Sequence, residues 1–425
     1  MPSPLADPVQ LPCGLVLPNR LSKAAMAELL AKTNQPNKPL SEAYSQWAQG
    51  GWGSILTGNV QVDVNHLGSP YDPALHQEYK GEASLIAQWK PYADVCQKHG
   101  TPTIVQICHP GRQSFRIAGY RGMFASTIAP SAIPISLGSG LIERLVSCVA
   151  WTAPREMTKG DIERVIRQFV DTARLMADAG FSGVELHGAH GYLIDQFLSG
   201  KTNIRNDEYG GTPEKRARFV LEILTEIRKA VPATFAIGIK LNSADHSSAT
   251  FEETMTQIKL LVNAGIDFME ISGGTYEDPS MMGYSTSTST PNSNTTPIKS
   301  ERTAAREAFF LEFAKEVRAR FPGLVLMLTG GFRSRVGAES AIRDGACDLV
   351  GIGRPAAIEP GFPLRLLDES VGDEEARLPL NKVPAPFYTR WLPKNIIGAG
   401  LETTYYSGQI SRLARGLATF APTWS

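Results

Sequence analysis

Cysteine is scarce in this chain. Its 425 residues include five, Cys13, Cys96, Cys108, Cys148 and Cys347, widely spaced and with no C-x-x-C pair. That pattern argues against a disulfide framework, an iron–sulfur cluster or a thiolate zinc site, and it points to a reducing, cytoplasmic setting. Excess charge is missing as well: 42 basic side chains balance 42 acidic ones, so nothing suggests nucleic acid or a polyanionic surface as partner. No apolar run approaches the ~18 residues of a membrane span. The first eight residues carry neither a basic stretch nor an apolar one, so a signal peptide is not expected. No G-x-G-x-x-G follows the first strand-like run, which weakens the case for a doubly wound open sheet.

What is present is a repeating pattern. Strand-like apolar runs occur at 20–26, 53–58, 102–108, 183–187, 235–241, 268–272, 324–329 and 349–352. Amphipathic helical stretches lie between them at 40–49, 162–179, 213–230, 254–264, 304–321 and 338–344. Several helices end in a glycine just before the next strand, as at Ala179-Gly180, Ala264-Gly265 and Asp344-Gly345. Alternation on this scale is what an α/β fold of the (β/α)8 TIM-barrel type requires. The expectation is one barrel domain over 1–375 and an extension over 376–425 packed on the barrel or a partner subunit. Two segments exceed a minimal barrel: a Gly/Ser/Pro-rich excursion at 112–149 after strand three, and a polar, low-complexity loop at 278–299 after strand six.

The chemistry-bearing residues fall where strands end. His187, His190 and Tyr192 follow the fourth strand; imidazole N–H groups can donate to a developing oxyanion and a phenol can deliver a proton. Satisfied core histidines and a packed aromatic are the ordinary alternatives. Gln106 sits on the third strand and offers donor and acceptor together. Lys240 ends the fifth strand, where it either pairs with Glu185 or Glu270 or neutralises a bound anion. Thr329-Gly330-Gly331-Phe332-Arg333 and Gly351-Ile352-Gly353-Arg354 follow strands seven and eight, the loops that cradle phosphate in many barrels. Either glycine pair alone reads as a turn; together they favour phosphate. A metal at His187-x-x-His190 is not expected, because no third ligand is evident.

The stretch from His187 through Phe219 resembles the Old Yellow Enzyme family of FMN-dependent NADH:flavin oxidoreductases and ene-reductases. The likeness extends to Pro18-Asn-Arg-Leu21, Gln106-Ile-Cys-His-Pro-Gly-Arg112, Gly238 through Asp245, Thr329 through Arg333 and Gly351 through Arg354, covering about 10–370. The resemblance implies a TIM barrel with non-covalently held FMN and NAD(P)H as electron donor. Ala24, Ala25 and Met26 would line the isoalloxazine, with Gly58, Asn59 and Gln106 at its pyrimidine edge and Lys240 beside N1 and O2. Gly331, Phe332, Arg333, Gly353 and Arg354 would hold the phosphate. His187 and His190 would bind the carbonyl oxygen of an enone or enal, and Tyr192 would protonate its α-carbon. Soluble monomers or homodimers without membrane or nucleic-acid partners are implied.

Departures from the family pattern fall at Ala27 and Leu29, where some members carry a cysteine and a tyrosine. The iron–sulfur region of the larger dienoyl-CoA reductases is not expected here. Two other readings stay open at this point: a redox-neutral, phosphate-binding barrel isomerase or lyase, and a flavoprotein specialised for a biosynthetic isomerisation or oxidation.

Overall fold

A computed structural model describes residues 2–243, 250–272, 301–384 and 394–423. The polar loop at 278–299 lies outside the described residues. Eight parallel strands form the centre: β1 Leu21–Lys23, β2 Ser54–Leu56, β3 Thr103–Cys108, β4 Gly183–Gly188, β5 Ala236–Asn242, β6 Phe268–Ser272, β7 Leu326–Thr329 and β8 Leu349–Ile352. Each pairs with its sequence neighbour, and β8 pairs back to β1, so the sheet closes into the expected barrel. Gly183–Gly188 and Phe268–Ser272 fall within a residue of the runs read from the sequence; β1 and β2 are shorter, because their flanking residues leave the ladder to make the loops around the barrel mouth.

Period-two alternation sorts each strand. Val184, Leu186, Ile237, Ile239, Met269 and Ile271 point outward into the core shared with the helices. The inward set changes character with height. At the strand starts Ile104, Ala236, Phe268, Met327 and Leu349 form an apolar plug with Val9, Leu11 and Leu17. Those last three belong to an antiparallel pair, Val9–Gln10 with Val16–Leu17, that corks this end. Gly238 makes room for the plug: a Cβ there would stand 2.1 Å from the Phe268 ring. Higher up the inward residues are Gln106, Glu185, Lys240 and Glu270, then His187, Asn242 and Ser272. With one mouth filled by hydrocarbon, polar chemistry is confined to the C-terminal mouth.

The helices are α1 Lys38–Ala48, α2 Ala83–Cys96, α3 Leu141–Ala150, α4 Lys159–Asp178, α5 Leu193–Leu198, α6 Pro213–Ala230, α7 Thr250–Asn263, α8 Glu301–Arg320, α9 Arg335–Arg343, α10 Arg354–Ile358, α11 Phe362–Leu367 and α12 Lys394–Leu413. Capping explains several starts: Asn37 accepts from Leu40 N–H, Thr158 and Asp161 form a reciprocal capping box, and Thr212 accepts from Lys215 N–H ahead of Pro213. α4 buries Ile162, Val165, Ile166, Phe169, Ala173 and Met176. α2 escapes a propensity reading because Pro91 lies inside it, which removes a backbone hydrogen bond; buried Leu85, Trp89, Tyr92 and Cys96 offset that loss.

The excursion is not featureless. It holds α3 and the strand Ile128–Ala129, paired to Arg155–Glu156, and Phe115 stacks on Trp151. The C-terminal extension supplies α12, which lies on α1 and α10 with Tyr406 and Ile410 inside the main core. Among the described residues no helix is long and apolar enough to cross a membrane.

Candidate active site

The chain turns sharply after β4, and that turn presents the imidazoles and the phenol. His190 has φ 58° and Gly191 φ 77°, the left-handed region that L side chains avoid. Neighbours hold the turn in place. Asn242 Oδ1 accepts from His190 N–H at 3.2 Å, Asp195 Oδ2 accepts from Gly191 N–H at 2.7 Å, and Gln113 Nε2 donates to His190 O at 2.9 Å. A Cβ on Gly191 would stand 1.9 Å from Gln113 Nε2, so only glycine fits. Asp195 is pushed up to about 6 by burial.

His187 and His190 lie edge to face, 5.0 Å between centroids, and Tyr192 stacks on His187 at 4.3 Å and 23°. Burial above all, then His190 and Lys240, holds the His187 pKa well below the usual range; burial and Lys240 lower His190 to about 3. Both rings are therefore neutral at pH 7. Ala189 N–H donates to His187 Nδ1 at 3.3 Å, which leaves the proton on Nε2 and makes that atom a donor. His190 Nε2 meets Ser272 Oγ at 2.9 Å. The Tyr192 hydroxyl accepts from Asn59 Nδ2 at 3.0 Å.

Beneath this lies a buried charged layer. Lys240 Nζ is 3.1 Å from Glu270 and 3.8 Å from Glu185, both carboxylates fully buried. Gln106 gives its amide to Glu185 Oε2 at 2.5 Å. Burial first, and then the Glu270 charge, drive the Glu185 carboxyl well above its ordinary value. Burial opposes charge on Lys240, but Glu270 and Glu185 outweigh it and raise the ammonium. Both carboxylate partners that the sequence offered Lys240 are thus engaged.

The β7 and β8 loops meet at the same mouth. Thr329 and Gly351 are register partners, and a Cβ on Gly351 would strike Thr329 Oγ1. Gly330 (φ 151°) has no heavy atom of the described residues within 4 Å of where a Cβ would stand, and Gly331 beside it takes φ 75°, so the backbone at Gly330 is open to a ligand. Arg333 donates to Leu380 O at 2.6 Å and Arg354 to Glu402 of α12 at 2.6 Å. The buried Tyr406 hydroxyl has no hydrogen-bond partner among the described residues and lies within electrostatic reach of Arg354 and Arg333. Glycine backbone, two guanidinium groups and an unclaimed hydroxyl fit a phosphate. Ala24, whose N–H donates to Ile352 O, and Met26, whose sulfur approaches Gly353, join this wall. Gly58 lies against Met26, whose O would stand 2.3 Å from a Cβ there, and its N–H is given to Glu28 at 2.8 Å.

Sequence reasoning missed several of these groups. Glu402 and Tyr406 lie in a tail with no motif. Fully buried Lys23 stacks over Trp47 at 4.3 Å, and burial lowers it to about 8. At the departure positions, Ala27 O accepts from Ser407 of α12 at 2.7 Å, and Leu29 sits at φ 56°. Asp63, His66 and His109 bring ligand-type atoms within 4.8 Å of one another. Gly111 N–H donates to His109 Nδ1, however, so the neutral ring turns a proton rather than a lone pair toward the cluster. We read it as a hydrogen-bonded charge cluster.

The family model described as NADH:flavin oxidoreductase / NADH oxidase matches residues 4–370. The chain is 43% identical over 422 residues to the NADH-dependent flavin oxidoreductase iccE of Talaromyces variabilis, covering 97% of this chain and 98% of that one. It is equally identical, 43% over 410 residues, to the NADH-dependent flavin oxidoreductase iliE of Neonectria sp. (strain DH2), covering 94% of this chain; it spans about half, 52%, of that relative's length. Its fold is like that of the old yellow enzyme homologue from Zymomonas mobilis, with TM-score 0.66, 22% identity and coverage of 90% and 98%. A closed eight-stranded barrel, matched by the family model along most of its length, places this chain in the NADH:flavin oxidoreductase / NADH oxidase family, the Old Yellow Enzyme family.

Proposed function

We propose that the chain is an ene-reductase that reduces the C=C bond of α,β-unsaturated carbonyl compounds. Membership of the family brings FMN as cofactor and NAD(P)H as electron donor, which sets aside a redox-neutral isomerase or lyase. Gly331, Phe332, Arg333, Gly353 and Arg354 would hold the FMN phosphate. Ala24, Ala25, Met26, Gly58, Asn59, Gln106 and Lys240 would hold the ring. When bound and reduced, FMN supplies the hydride that adds to the β-carbon.

Support comes from one observation: two neutral, buried imidazoles and a phenol meet above the buried cation at the barrel mouth. Charge builds on the carbonyl oxygen as the β-carbon is reduced. His187 Nε2–H and the His190 ring are fixed before substrate arrives, so they stabilise that charge without reorganising. Because the rings are neutral, they donate hydrogen bonds but keep their protons. Tyr192 then delivers its O–H proton to the α-carbon as the O–H bond breaks and the C–H bond forms. The five cysteines are all free, which supports a cytoplasmic setting.

Tyr192→Phe keeps the stack on His187 and removes only the proton. Rapid mixing should show alkene reduction slowed roughly 10²-fold or more, with flavin reduction by NAD(P)H unchanged. Equal loss in both half-reactions would remove Tyr192 from this role.

A further inference from the structure

We propose that the buried carboxyl of Asp72 supplies the proton that restores Tyr192 after each turnover, across the point where Gly68 carries no side chain. This rests on the ene-reductase reading, which leaves Tyr192 as a phenolate at the end of each cycle. That phenolate is in a poor place to recover. It is only 8% exposed and stacks on an imidazole that is neutral.

Three groups converge on its far side. A methyl group built on Gly68 would stand 2.9 Å from the Tyr192 hydroxyl, 3.0 Å from Gln61 Nε2 and 3.2 Å from Asp72 Oδ2. Phenol, carboxamide and carboxyl therefore crowd around the place where a Gly68 side chain would stand, and one water would carry a proton from the carboxyl to the phenolate. Gln61 Nε2 donates to Asp72 Oδ2 at 2.7 Å, while the Gln61 Oε1 atom is buried with no hydrogen-bond partner among the described residues.

The surroundings of Asp72 favour a held proton. Asp72 is 4% exposed, and its Oδ2 also accepts from the Ser69 N–H at 3.0 Å. The charged and titratable groups that face it are Glu28 from the loop after β1, Cys108 at the end of β3, and Tyr192; no cation pairs with it among the described residues. Burial pushes the carboxyl up to about 7, against the Gln61 hydrogen bond and with help from the Glu28 charge. A proton moving from such a carboxyl to a phenolate, whose acid has an ordinary pKa of about 10, runs downhill. The cycle balances: the Tyr192 O–H breaks as the substrate C–H forms, the Asp72 O–H breaks as the Tyr192 O–H re-forms, and solvent returns a proton to Asp72. The route to solvent is short, because Pro70 and Tyr71 beside it are exposed. Asp72 touches neither substrate nor flavin, so it is a positioning residue that acts through Tyr192.

The test follows Tyr192 directly in the FMN-loaded protein labelled with fluorotyrosine. The Tyr192 resonance is the line missing from Tyr192→Phe. It should shift with pH with a midpoint near 7, and Asp72→Asn, which keeps acceptors for Gln61 and Ser69, should abolish that shift. Steady-state turnover should fall above pH 7 in the parent protein, and in Asp72→Asn it should be at least tenfold slower and flat with pH. Gly68→Ala, which wedges a methyl group between the phenol and the carboxyl but leaves Asp72 intact, should slow turnover similarly. A Tyr192 shift or a turnover profile that survives Asp72→Asn overturns the proposal and makes solvent the direct donor. If Tyr192→Phe fails to slow alkene reduction selectively, the ene-reductase reading falls instead, so the two failures are distinct.

Discussion

Replacing Lys240 with methionine tests the charged layer most severely. Met fills similar volume, so packing is nearly conserved, but Glu185 and Glu270 lose the only cation the structure places within 4 Å of them among the described residues. Breaking a buried ion pair by removing one partner costs about 3–5 kcal/mol. For a chain of 425 residues that corresponds to a fall in Tm of about 3–6 °C, at ~1.1 °C per kcal/mol. The loss should depend on pH, with a definite sign. Glu185 already has a carboxyl pKa raised in the folded state. A raised carboxyl contributes stability that is present at low pH and lost as pH climbs from the unfolded value of about 4.3 through the folded one. Lys240 is what lowers the Glu185 value, so without it that value rises further and the deficit should be smaller near pH 5 than near pH 8. Adding Glu270→Gln should recover much of it by removing one charge. The assay is thermal unfolding of the flavin-free protein at both pH values. A loss below about 2 °C, or an equal loss at both, would show that the layer is not charged as described.

Two further outcomes follow from the same structure. Gly191→Ala forces a side chain into φ 77° and against Gln113 Nε2; the left-handed conformation costs about 1–2 kcal/mol and the lost Gln113 bond about 1 more, so urea unfolding should shift by roughly 2–3 kcal/mol, and a change under about 0.5 would contradict this geometry. Glu402 neutralises Arg354 at the cradle, so Glu402→Gln should tighten FMN binding ~3–5-fold, the equivalent of about 1 kcal/mol for a partly exposed pair. Arg354→Ala should loosen it roughly tenfold. Flavin fluorescence titration reads both, and weaker binding in Glu402→Gln would refute the competition.

How much of this is legible without coordinates depends on sequence distance. β6 and β8 are readable to the residue because each is a short apolar run between a Gly-terminated helix and a polar loop. Helix α6 is equally plain, opened by Thr212-Pro213 and amphipathic along its length. His187, His190 and Tyr192 lie within six residues at a strand end, so one motif carries all three. Helix α2 is hidden by Pro91, and α12 by glycines at 398, 400 and 408. The partners that set the chemistry are hidden for a different reason. Asp72 lies across Gly68 from Tyr192, 120 positions away in sequence, and Glu402 reaches Arg354 from 48 positions away, and neither belongs to a local pattern. A (β/α)8 barrel builds its floor from strands, whose inward residues are periodic, and its rim from loops, whose contacts are not. Substitutions such as Ala27 and Leu29 therefore change the rim while the floor still reads as the family. What distinguishes this enzyme from its relatives should accordingly be sought at residues 24–30, 59–72 and α12, rather than in the motifs that identify it.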